Sequence, residues 1–187
     1  MSRFLAALVA ATLVAGTALA QGAAAPAVHP GTRLSFAPAV GSAQFQRSVG
    51  IQQGRDITYS YYYSINRMQL SISIFDGGRR IPSGSDHPMV ISQFSNEIAQ
   101  VEQQAKFVGQ GNVERPSVPS TCAYGGVSFR CIVYSAKDSN DRLFSKMLLT
   151  GFRDSFVRIR IDWSQKAGQS AAEADRALQS FVPALMR

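Results

Sequence analysis

The chain has 187 residues, 45% of them hydrophobic, which suits one domain with a substantial core. Two cysteines and two histidines leave little material for a metal site or for side-chain catalysis. The formal net charge is +7, with arginine supplying most of the 19 basic residues, a balance that favours an anionic envelope component or an acidic protein as neighbour.

Arg3 precedes an apolar run over residues 4–19 that ends in Ala18-Leu19-Ala20. A charged start, an apolar stretch and a small-x-small end describe a secretory signal peptide over 1–20. The alternative is an uncleaved anchor, but the run is short for a spanning helix. After cleavage no transmembrane segment is expected, and the protein is placed in the periplasm or outside the cell, where nucleic acid is not an expected partner. Residues 21–31, with three consecutive alanines, Pro26 and Pro30, read as a flexible leader that includes His29. Residues 32–187 read as a single α+β domain.

Residues 33–36 have strand composition, and 45–51 form a weaker strand candidate. The stretch 57–75 is the organiser. Ile57, Tyr59, Tyr61 and Tyr63 alternate with Thr58, Ser60, Tyr62 and Ser64, and then Met68, Leu70, Ile72 and Ile74 alternate with Gln69, Ser71, Ser73 and Phe75. Two period-2 runs joined by Ile65-Asn66-Arg67 predict a β-hairpin with one buried face. The tyrosines suit a core better than a ligand groove.

A turn-rich loop over 76–86 follows. Val90, Phe94, Ile98, Val101 and Ala105 then mark one stripe of a helix, with Asp86 or His87 as its cap, Pro88 in its first turn and Gly109 as its stop. Residues 127–136, 142–152 and 156–163 predict three strands. The middle one is apolar on both faces and so belongs in a sheet interior. In the last, Val157, Ile159, Ile161 and Trp163 oppose Phe156, Arg158, Arg160 and Asp162. Ser170-Ala-Ala-Glu173 is a capping box opening a final helix, which Pro183 is expected to kink or end near Val182. Tight turns between consecutive strands predict a mostly antiparallel sheet covered by two amphipathic helices.

Cys122 and Cys131 predict one disulfide in an oxidising compartment, the alternative being two buried thiols. A two-residue turn at Gly125-Gly126 places Cys122 opposite Phe129, so the bond requires a diagonal pairing, a bulge or a wider loop. No nucleotide loop, nucleophile elbow or metalloprotease helix occurs, and no cofactor is implied. Ser85, Asp86 and His87 invite a triad reading, with His87 as the base of a small periplasmic hydrolase, yet three adjacent residues do not stack in line. Arg79, Arg80, Arg153, Arg158 and Arg160 form a candidate anion or partner surface if the loops converge, and a solvated face otherwise. On that reading Arg158 and Arg160 can be removed without harm to the fold.

The order of elements, with Phe36-Ala37-Pro38, the Tyr hairpin, one helix, strands ending in Phe156-Val157-Arg158-Ile159-Arg160 and a closing helix, resembles the PsbP-like α/β/α sandwich group. Ile74-Phe75-Asp76-Gly77 and Arg80-Ile81-Pro82 are also similar to pieces of exported proteobacterial proteins. The resemblance implies an accessory or binding protein of the cell envelope without a catalytic site, and transfers no functional residue.

Overall fold

Two-residue turns build the sheet. β5 (Asp56–Ile65) and β6 (Met68–Phe75) pair antiparallel, with Tyr63 opposite Leu70 and Tyr61 opposite Ile72. Their turn residues, Asn66 and Arg67, both have positive φ (48° and 66°), the backbone twist that matches a paired strand. Arg153 and Asp154 (46° and 63°) turn β9 (Asp141–Phe152) into β10 (Ser155–Ser164) the same way. Gly125 and Gly126 join β7 (Ser120–Tyr124) to β8 (Val127–Asp138). With β3 (Ala39–Val40) and β4 (Ala43–Gln53) these strands make an eight-stranded sheet in the order β3-β4-β5-β6-β10-β9-β8-β7, antiparallel throughout. The protein is an α+β fold, this sheet plus α1 (Pro88–Phe107) and α2 (Ala171–Leu185). The structure, a computed structural model, describes residues 27–53, 56–107, 113–115, 118–138 and 141–187. The expected signal peptide, the leader up to Pro26 and the Gly109 stop lie outside the described residues.

Strand alternation sends the two helices to opposite faces. One face carries Tyr61, Tyr63, Ile72, Ile159, Ile161 and Trp163, and α2 covers it with Leu178, Phe181, Val182 and Leu185. A small hairpin of β1 (Ala27–Val28) and β2 (Ser35–Phe36) joins that core, its Phe36 ring stacked on Tyr61 at 3.5 Å. The stretch expected as a leader therefore contributes structure from Ala27 onward. His29 is buried there, accepting at Nδ1 from the Thr32 backbone N–H at 3.0 Å.

On the other face Val90, Phe94 and Ile98 of α1 pack on Ile132, Met147, Leu149 and Phe156 of β8, β9 and β10. α1 begins as its cap reading suggests, with His87 Nδ1 accepting from the Met89 N–H at 3.3 Å. It spans only part of the sheet. Over β5 and β6 the same face shows Thr58, Ser60, Tyr62, Ser71 and Ser73, and none of these belongs to either apolar core.

Three details needed the tertiary structure. Cys122 does face Phe129, and the disulfide reaches Cys131 on the diagonal, with Cα atoms 6.1 Å apart. Pro183 does not end α2 at Val182, since the helix runs to Leu185 and the Met186 N–H closes on the Val182 carbonyl at 2.9 Å. A proline so near the C-terminus removes one hydrogen bond rather than several, and Gly125 makes room for its ring: a Cβ at Gly125 would stand 2.5 Å from Pro183 Cγ. The 76–88 loop is tied across the end of β9, where Gly84 and Gly151 exchange backbone hydrogen bonds of 2.9 and 3.1 Å.

Among the described residues no helix is long and apolar enough to cross a membrane.

Candidate functional site

β10 places Arg158, Arg160 and Asp162 on the face that α1 leaves partly open. Its neighbour β6 sets Ser73 opposite Arg158, Ser71 opposite Arg160 and Gln69 opposite Asp162. α1 stands along one side of this row and presents Gln93, Glu97, Gln100 and Gln104. Between helix and sheet lies a groove of about 690 Å³, its floor continued onto β5 by Thr58, Ser60 and Tyr62. That volume lies within the range of ~300–1,000 Å³ typical of ligand clefts.

The arginines of the groove are held by carboxylates. Arg158 Nη1 donates to Glu97 Oε2, and its Nη2 to Ser73 Oγ at 3.1 Å. Gln93 Nε2 donates to the other Glu97 oxygen at 2.9 Å. Glu97 is buried, so Arg158 is a strut between sheet and helix that neutralises an interior charge. It is not a free surface cation, and its removal would leave the Glu97 carboxylate without its charged partner.

Arg160 is arranged differently. Its Nε donates to Asp162 Oδ1 at 2.7 Å, and the Ser145 hydroxyl donates to the same oxygen. The guanidinium lies 5.8 Å from the Tyr134 ring centroid. Burial disfavours its charge, but Asp162 and Tyr134 outweigh burial and hold its pKa above the ordinary value. Tyr134 is buried, which raises its pKa in spite of Arg160 nearby. Its hydroxyl neighbours that of Ser145. Arg160 also lines two further hollows, of about 810 Å³ and 290 Å³, and so sits where three recesses meet.

The other predicted arginines lie at one end of the sheet. Arg153, in the β9–β10 turn, donates to the Thr32 carbonyl at 2.8 Å and covers the Phe152 ring at 4.8 Å. Arg79 and Arg80 are exposed just before Ile81, whose N–H donates to the Asp154 carbonyl at 3.2 Å. The five residues thus fall into two groups, separated along β10 by roughly 16 Å at ~3.3 Å per residue.

Ser85, Asp86 and His87 are engaged as structure. Ser85 is buried, its Oγ 2.9 Å from Ser128 Oγ and 3.3 Å from Asp86 Oδ1, while His87 caps α1. Among the described residues His87 makes no hydrogen bond to Ser85. No cluster of three or more His, Cys, Asp or Glu side chains is placed to hold a metal ion among them either.

Sequence reasoning assigned the Tyr hairpin to the core and did not count its second face. That face supplies Ser60, Tyr62, Gln69, Ser71 and Ser73 to the groove. The available signal was the hydroxyl residues at alternate positions of 58–64 and 71–73, beside the Arg-x-Arg-x-Asp of 158–162. Compared with models of protein families, with curated proteins and with solved structures, the chain matches none.

Proposed function

We propose that the chain is an exported, non-catalytic binding protein of the cell envelope that holds its partner in the groove between α1 and the open half of the sheet. One observation carries this reading. In the middle of a large sheet, the face over β5 and β6 is lined by hydrogen-bonding side chains that belong to neither apolar core. Central strands of a sheet are normally covered on both faces or open to water on one; here a helix wall turns the open face into a cleft. The Cys122–Cys131 disulfide supports an oxidising compartment. The positive net charge draws the protein toward anionic envelope surfaces, while the groove performs the recognition.

The test is a photo-crosslinking amino acid at Gln100, on the groove wall, compared in intact cells with the same group at the exposed Gln179 of α2, on the opposite face. Capture of an envelope component from Gln100 and not from Gln179 is expected. Identical products from both positions would reject the groove as the binding site.

A further inference from the structure

The Arg160–Asp162 pair carries a more specific reading of the groove. Asp162 Oδ1 already accepts from Arg160 Nε and from Ser145, whereas Asp162 Oδ2 has no partner among the described residues. Both terminal nitrogens of Arg160 are likewise without one, and so is the Ser71 hydroxyl across the strand pair. A fixed charged donor therefore stands beside a fixed charged acceptor, each locked by the other. The Tyr134 hydroxyl, on a residue only 7% exposed, lies in the same lining beside the Ser145 hydroxyl.

Charge selects the ligand class. In the groove Arg158 is balanced by Glu97 and Arg160 by Asp162, so the site offers no excess positive charge to a polyanion. The rest of the lining is uncharged and mixed: Gln100 and Gln104 of α1 stand over Thr58, Gln69 and Ser71, with apolar surface from Ile51, Phe75 and Val101 beside them, and a lipid chain would have to strip water from the hydroxyls and amides. An extended peptide gains its affinity by adding to a sheet edge, but this floor is the face of interior strands whose backbone groups are already paired. A chain of sugar hydroxyls fits. Each hydroxyl both donates and accepts, so two vicinal hydroxyls can accept from an Arg160 terminal N–H and donate to Asp162 Oδ2 together.

We infer that the groove binds a neutral oligosaccharide, with Arg160 and Asp162 gripping adjacent hydroxyls of one sugar and Ser71 and Gln100 contacting the same chain. The inference rests on the groove being the binding site, as proposed above.

The experiment titrates the isotope-labelled protein with chitotriose and with maltotriose, following backbone amide shifts. Saturable shifts at residues 69–73 and 158–162 are expected with at least one of them. Asp162→Asn should weaken binding about tenfold or more, the effect of losing a charge-assisted hydrogen bond. Gln100→Ala, on an exposed helix position that leaves the fold intact, should weaken it measurably and keeps the test open should Asp162→Asn unfold. Absence of saturable shifts with either trisaccharide at millimolar concentration would overturn the inference, as would saturable binding that both variants leave unchanged. Crosslinking from Gln100 to a protein or lipid without sugar binding would overturn this inference and leave the groove standing. Failure of both experiments would remove both.

Discussion

At the scale of single residues, the chemistry of the groove depends on which charges are buried. Glu97 is 4% exposed and shares Arg158 with Ser73. Arg158→Ala strands that carboxylate, and we expect a loss of about 3 kcal/mol in chemical denaturation, the lower end for breaking a buried pair because Arg158 itself is partly exposed. Replacing both partners, Arg158→Met with Glu97→Gln, should recover most of it; a double variant as unstable as the single one would show that the pair does not act by charge compensation. His29 adds a pH dependence. Burial lowers its pKa from the ordinary 6.5, with Asp76 acting weakly the other way. As pH falls through 6.5 the unfolded chain takes up its proton before the native state does. The contribution of His29 is therefore complete above pH 6.5 and is lost progressively below it, down to the folded pKa. As pH is lowered below about 6.5, the melting temperature should fall more steeply in the parent than in His29→Gln. Equal slopes would mean that His29 titrates alike in the native and unfolded chain, so that burial does not shift it.

At the scale of elements, local sequence and close approach share the control. The capping box of α2 is written in Ser170 and Glu173, and it forms: the Ser170 hydroxyl accepts from the Glu173 N–H while the Glu173 carboxylate accepts from the Ser170 N–H at 2.8 Å. Ser170→Ala should cost about 1 kcal/mol. The fit of the 76–88 loop over β9 is written in no local pattern. Gly151 sits where an added Cβ would stand 1.9 Å from the Pro82 carbonyl oxygen, so that backbone would have to shift. Gly151→Ala should therefore cost about 3 kcal/mol, the upper range for overpacking. Thermal unfolding of the two alanine variants should rank them in that order, and the reverse order would disprove the tight approach. The hairpin turns were legible for the opposite reason, because Ile65-Asn66-Arg67 separates two period-2 runs and Gly125-Gly126 is a turn signal; the structure narrows the first link to Asn66-Arg67, with Ile65 paired to Met68.

For the whole molecule, the sheet separates stability from recognition. The face under α2 holds the larger apolar core and the disulfide, while the face under α1 holds the groove. Cys131 is buried against the first of these faces, and the bond closes a short loop with a sequence separation of 9. Replacing both cysteines by alanine should lower stability by a little under ~3 kcal/mol. The groove should be unaffected, so amide shifts at 69–73 and 158–162 should match those of the parent. Changes concentrated there would contradict the division of faces.

Composition and periodicity by themselves determined the α+β class, the Tyr hairpin, the capping box of the last helix and the inward face of β10, because burial writes a period of 2 or 3.6 into a chain wherever one side must avoid water. Arg158, Arg160 and Asp162 were equally visible as an alternating polar row. What covers that row was not. Only the tertiary structure set β6 beside β10 across 80 residues of chain, brought Glu97 over Arg158, and left Arg160 and Asp162 facing Ser71 in a cleft. Strand order and the lateral position of a helix arise from long-range packing, which leaves no local spacing to read. Arg158 and Arg160, which look like part of a free basic surface in the sequence, become, once paired with Glu97 and Asp162, charge-balanced members of a groove.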